Sequence, residues 1–198
     1  MKKFFKSLML ISVCLGLSAT VNAKTFRYAT TGDILGLDPH ANNEGPTNTM
    51  KGNIYGRMLH RKADLSLEPD LATKWEKLDA NTWRFSLRRG VKFHNGNDFN
   101  ADDVLFSYKR QTQEASDMSF ALATIKQINK VDDYTVDLIT KGPDPILLLN
   151  MPMFYIVDKE WIEANNAFEV VRASGSTNFA NVNTCLLYTS DAADDQLG

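Results

Sequence analysis

Cysteine is almost missing: the 198 residues hold two, Cys14 and Cys185, near opposite ends of the chain. A disulfide-stapled miniprotein is therefore excluded, and stability must come from packing. Histidine is nearly as sparse. His40, His60 and His94 stand far apart, without the close Cys, His or carboxylate spacing of a metal site, so no metal or other cofactor is expected. The sequence has no Gly-x-Ser-x-Gly elbow and no phosphate-binding glycine loop, and nothing else assembles a nucleophile. Internal repeats and low-complexity linkers are absent. Basic residues form no stripe, and the formal net charge is −2, which argues against nucleic acid as a partner. Long apolar runs are confined to the N-terminus.

There, Lys2, Lys3 and Lys6 precede an apolar run over 8–17, and the small residues Val21 and Ala23 suit cleavage before Lys24. The run is shorter than the roughly 20 residues a membrane-spanning helix needs. Residues 1–23 therefore read as a secretory signal peptide. Lipidation at Cys14 is disfavoured, because Val13 is bulky and the apolar run continues past it. Loss of the leader takes three of 22 basic residues and leaves 19 against 24 acidic ones on 175 residues, enough for one domain with a real core.

Residues 25–29 read as a strand with Phe26 and Tyr28 on one face, followed by a polar loop over 30–46 rich in Gly and Asn. Met50, Ile54, Tyr55, Met58 and Leu59 recur at helical spacing, which predicts a helix over 47–59 with Thr47 as N-cap. Trp83, Phe85 and Leu87 alternate with Thr82, Arg84 and Ser86, and a turn at 79–81 pairs that strand with 75–78 as a hairpin. Asn95-Gly96 marks a tight turn. Asn100 with Asp103 approximates a capping box for a helix whose buried stripe is Val104, Leu105 and Tyr108. A further helix is expected over 119–126, a strand over 134–138, a short buried helix over 146–151, a strand over 154–157, and a helix capped by Asp158. The order is mixed α/β. Asp102 and Asp103 are explained by the macrodipole and capping, and not as a general acid and base, so no catalytic residue is assigned.

Leu71-Ala72-Thr73-Lys74-Trp75, followed by TWRFSLRRGVKFHNGNDFNADDVLFSY over 82–108, resembles the signature of solute-binding protein family 5. Leu37-Asp38-Pro39-His40 and Val131-Asp132-Asp133-Tyr134-Thr135-Val136 resemble the same family, and the likeness runs from about residue 25 to 183. It implies a periplasmic binding protein type II-like α/β fold, a two-lobed Venus-flytrap, of which this chain carries the N-terminal part of lobe 1 and its subdomain. The implied layout is a signal peptide at 1–23, the start of lobe 1 at 24–62 and a truncated family 5 subdomain at 63–184. Trp75, Trp83, Phe85, Phe93 and Phe106 are then the core of that subdomain. From Cys185 the pattern breaks, and 185–198 looks like a translated transposon-end sequencing adapter, so it is left out of the fold.

Function follows from the same resemblance. It implies a periplasmic, extracytoplasmic substrate-binding subunit of an ABC importer and not an enzyme. The expected ligand is a dipeptide, oligopeptide or similar small solute such as a nickel complex, handed to membrane permease subunits. A chemoreceptor is a further candidate partner, and the chain is expected to be a monomer. The loop after the first strand is placed beside the cleft, which makes Thr31, Gly32, Asp33, Ile34 and Leu35 the candidate ligand contacts, with Met118 and Phe120 as weaker ones. Turn formation and core packing are the competing explanations of these residues. A secreted hydrolase or metal-dependent enzyme on a binding-protein fold is the alternative function.

Overall fold

The alternation at 82–87 builds the centre of the fold. In the computed structural model, which describes residues 32–172 and 187–188, Phe85 and Leu87 are buried while Arg84 points to the other face. The signal peptide, the strand expected over 25–29, Thr31 and Cys185 lie outside the described residues.

Helix α1 (Gly45–Ile54) is followed by a short hairpin of β1 (Leu59–Arg61) and β2 (Leu67–Pro69). Next come β3 (Ala72–Lys77), β4 (Thr82–Leu87) and β5 (Lys92–Phe93), then α2 (Ala101–Gln111) and a 3-10 turn (Ser119–Leu122). Strands β6 (Ile125–Asp132) and β7 (Thr135–Thr140) precede α3 (Leu147–Asn150), a second 3-10 turn (Met151–Met153) and α4 (Lys159–Ala164). Strand β8 (Leu187–Tyr188) pairs with β5, so two residues of the tail set aside in the sequence reading sit on the edge of that strand.

The main sheet has the order β3-β4-β7-β6, all antiparallel. Local chemistry sets its turns. Asp79 Oδ1 accepts from the Asn81 amide at 2.8 Å, and Asp132 Oδ1 from the Tyr134 amide at 2.7 Å, the side-chain turns that Asp favours. Gly90 and Gly96 adopt φ of +75° and +95°, where a Cβ is unfavourable. On the inner face Phe85, Leu87, Val136, Leu138, Ile125 and Ile128 meet Val104 of α2 and Leu122. Across the outer face Arg84 grips Asp137 with two bonds of 2.7 and 2.8 Å.

Helix α2 starts where its sequence says it should. Asn100 Oδ1 accepts from the Asp102 amide at 2.8 Å and Asp103 Oδ2 from the Asn100 amide at 3.0 Å, a reciprocal capping box. Asp158 caps α4 through the Trp161 amide.

Four expectations are corrected. The first helix spans Gly45–Ile54, with Glu44 and not Thr47 as N-cap. It stops because Tyr55 turns extended, which carries Met58 and Leu59 into the core through Met58 N–H to Phe154 O and Ala72 N–H to Met58 O. The helix expected over 119–126 is a single 3-10 turn, because Ile125 is taken into the sheet opposite Thr140. Residues 154–157 form no sheet strand: an isolated bridge between Tyr155 and Arg57 and the Ile156 amide bond to Gly56 O tie them to the chain after α1. The β1–β2 hairpin was not foreseen; its turn puts Leu65, a residue that gives no turn signal, at φ +70°.

Candidate ligand-binding loop and its buried anchor

Residues 32–37 form no helix or strand. Asp33 is exposed, Leu35 shows 38% of its surface, and the Ile34 amide donates to Asp33 Oδ1 at 2.8 Å. Two side chains hold this loop from behind. The Leu35 amide donates to Thr47 Oγ1 at 3.0 Å, and the Tyr55 hydroxyl donates to Leu37 O at 2.7 Å. Because Glu44 caps α1, the Thr47 hydroxyl is free to accept from Leu35.

The next residues enter a buried polar cluster. Arg110, on the inner face of α2, donates from Nη1 and Nη2 to the two oxygens of Asp38 at 2.7 and 2.6 Å, and both side chains are fully buried. Such a paired fork is the strongest geometry available to these groups. Arg110 Nε also donates to Ala167 O at 3.1 Å. A guanidinium cannot accept, so His40 Nδ1, 3.0 Å from Arg110 Nη1, must be the acceptor. Its Nε2 then carries the proton and donates to Tyr155 O at 3.0 Å. Burial, reinforced by the neighbouring guanidinium, holds the His40 pKa down at about 3, so the ring is neutral. Burial opposes ionisation of Asp38, but the Arg110 bonds and charge together with His40 outweigh it and hold its pKa below the usual value.

Lys51 is buried beside this cluster. Its Nζ donates to Pro39 O at 3.1 Å and to Asn42 O, and lies 5.7 Å from the centre of the Tyr155 ring. Burial lowers its pKa to about 8. Ser116 Oγ donates to His40 O at 2.7 Å and the Asp117 amide to Ala41 O at 3.2 Å. Residues 38–42 are thus clasped by α1, α2, the 116–117 turn and Tyr155.

Of the candidate contacts, Gly32, Asp33 and Leu35 are exposed and Ile34 is half-buried. Met118 is buried, packed in a small core with Tyr55, Phe106, Tyr155 and Val157, whereas Phe120 is 49% exposed. The two segments share one scaffold, because Ser116 and Asp117 tie the turn before Met118 to His40 and Ala41. Sequence reasoning missed the anchors Thr47, Lys51, Tyr55 and Arg110. A signal existed for Arg110, which falls with Asp103, Val104, Ser107 and Gln111 on the buried stripe of α2, where a charge demands a partner.

Among the described residues, Asp103, Asp158 and Glu160 bring carboxylate oxygens within 4.8 Å of one another. Asp103 accepts from the Asn100 and Lys159 amides, and Asp158 from the Asn95 and Asn97 side chains and the Trp161 amide. These acids therefore serve helix ends and a turn. Burial pushes the Asp103 carboxyl up to about 7 despite its two amide bonds. An open pocket of about 380 Å³ beside the end of α1 is lined by Arg57, His60, Glu68 and Asp70 among others. Its charged lining is engaged internally, with Arg57 Nη2 donating to Gly52 O at 3.0 Å and to His60 Nδ1 at 3.1 Å.

A sheet with helices on its inner face, a capped α2 and an exposed loop anchored from behind define a mixed α/β scaffold. The sequence profile described as "Bacterial extracellular solute-binding proteins, family 5 Middle" matches residues 66–184, and the chain belongs to that family. The family consists of binding proteins and not enzymes, which sets aside the hydrolase and metal-dependent enzyme readings. The chain is 32% identical over 176 residues to the dipeptide-binding protein of Escherichia coli, covering 77% of this chain and 33% of that protein. It is 33% identical over 155 residues to heme-binding protein A of Haemophilus influenzae, covering 67% and 28%. The solved periplasmic binding protein DppA from Helicobacter pylori, in complex with the peptide STSA, superposes with a TM-score of 0.62 at 29% identity, covering 68% of this chain and 31% of that one. The chain spans about a third of the length of these relatives.

Proposed function

We propose that this chain is the first part of a periplasmic substrate-binding subunit that captures short peptides and delivers them to the permease of an ABC importer. Residues 1–23 act as the export leader, 24–62 begin the first lobe and 63–184 form its family 5 subdomain. Thr31, Gly32, Asp33, Ile34 and Leu35 line the ligand cleft, with Phe120 and the Met118 segment nearby. The observation that carries this reading is the loop over 32–37, which keeps Asp33 and Leu35 open to solvent while the residues behind it are locked into the core. An acidic and an apolar side chain together suit a peptide, whose amino group and side chains need different partners once water is excluded.

In such a binder the ligand bridges two lobes, and closure is favoured only by contacts present in the closed state. A rigid loop raises affinity, because the cost of ordering it is met on folding and not on binding. The intact gene product, titrated by calorimetry with di- to pentapeptides, heme and a nickel complex, is expected to give saturable heat with peptides and a negative heat-capacity change. Binding of heme or the nickel complex with silence toward every peptide would overturn the peptide reading.

A further inference from the structure

We propose that Thr47 and Tyr55 are positioning residues that set the path of the cleft loop, so that ligand affinity depends on two side chains that are not themselves among the candidate contacts; this rests on the ligand-facing reading of 31–35. Each takes one backbone group of the loop, Thr47 Oγ1 the Leu35 amide at 3.0 Å and the Tyr55 hydroxyl the Leu37 carbonyl at 2.7 Å. The two come from separate places, Thr47 from the first turn of α1 and Tyr55 from the extended residue that ends it, so together they fix both direction and register of the intervening backbone. Both are themselves immobilised. Thr47 is fully buried and its amide donates to Glu44, while Tyr55 packs with Tyr155 at a ring separation of 6.4 Å.

Downstream the chain has no freedom to compensate. Asp38 is gripped by Arg110, His40 by Arg110 and Tyr155, and Pro39 and Asn42 by Lys51. The loop is thus clamped at its end by the cluster and held along its length by Thr47 and Tyr55. Removing one of the latter frees residues 32–37 locally and leaves the buried cluster intact. A ligand must then order the loop as it binds, and affinity falls without a change in the contacts made.

The test uses the intact gene product in four forms: unmodified, Thr47→Val, Thr47→Ser and Asp33→Ala. The peptide giving the largest heat from the di- to pentapeptide set is the probe, and amide hydrogen exchange is followed in parallel without ligand. Thr47→Val should exchange the Leu35 amide at least about tenfold faster, with Val136 and Leu138 in the sheet unchanged, and bind the peptide roughly fivefold to tenfold more weakly. Thr47→Ser restores the acceptor and should return both values to those of the unmodified protein. Unchanged Leu35 exchange in Thr47→Val, or equal affinity loss in Thr47→Ser and Thr47→Val, would overturn the inference. If Asp33→Ala and Thr47→Val both bind as the unmodified protein does while Leu35 exchange rises, the loop is positioned as proposed but is not part of the cleft, and the ligand-facing reading fails instead. An intact protein that binds no peptide of the set defeats the peptide reading, and the exchange data then decide the positioning claim alone.

Discussion

Arg110 shows how much one side chain can commit the fold to a single arrangement. Its fork closes on Asp38 in a fully buried site, and it also reaches His40 and Ala167. Arg110→Met leaves Asp38 buried without its partner and should cost about 3–5 kcal/mol, read from urea unfolding. Asp38→Leu combined with Arg110→Met should be less destabilised than Arg110→Met alone, because no orphaned charge remains; an equal or larger loss in the double variant would mean that packing around the guanidinium, not charge pairing, dominates. His40 makes the same site sensitive to pH. It titrates at about 3 in the folded chain against an ordinary 6.5. Between those values the unfolded chain binds a proton that the folded chain excludes. Stability therefore falls as pH is lowered through that window, by up to about 1.4 kcal/mol per pH unit. Asp103, raised from 3.8 to about 7, acts with the opposite sign, since the folded chain holds that proton more tightly. Comparing unfolding of the unmodified protein with that of His40→Gln removes the Asp103 contribution, and His40→Gln should lack the acid-side loss. Superimposable pH curves for the two would show that His40 is not excluded from protonation in the fold.

Local sequence is most decisive in the elements that close on themselves. The β3–β4 hairpin, the Asn95-Gly96 turn and the start of α2 all lie where alternation, glycine and the Asn100–Asp103 pair place them. Asn100→Ala removes half of the capping box and should lower stability by about 1 kcal/mol. Gly96→Ala forces a Cβ into the left-handed region at φ +95° and should cost a similar amount, roughly 1–2 kcal/mol. Thermal unfolding measures both, and an unshifted midpoint in either would deny the role given to that residue. Elements whose ends depend on distant partners were legible only in part. The apolar periodicity continues past Ile54, yet α1 ends there, because Met58 is claimed by Phe154 and Ala72. Ile125 likewise looks helical beside Ser119 and Leu122 until β7 offers it a strand to pair with.

For the whole molecule, the described residues build a scaffold and one candidate wall of a cleft, on a chain that spans about a third of the length of its relatives. Ligand affinity in a two-lobed binder comes from surfaces that meet on closure. On the proposed reading, the 198-residue chain alone should give no saturable heat with peptides that the intact gene product binds, and tight stoichiometric binding by it would contradict the two-lobe account. The exposed ring of Phe120 belongs to the same argument: as a cleft residue it should lose exposure when the intact protein closes on ligand, which exchange or fluorescence quenching of neighbouring groups can follow.

The mixed α/β order, the central hairpin and the capped α2 could be read from residues alone, because alternation, turn chemistry and capping act within a few positions of each other; the family was legible only as the resemblance of residues 71–75 and 82–108 to its signature. The candidate loop was legible as polar and irregular, but its anchors were not. Asp38 and Arg110 are 72 residues apart and Leu35 and Thr47 are 12 apart, and nothing local marks one as the partner of the other. Which hydroxyl holds the loop, where α1 stops and which way the His40 proton points were settled by folding, since a buried polar group takes whichever partner the packed chain brings within reach.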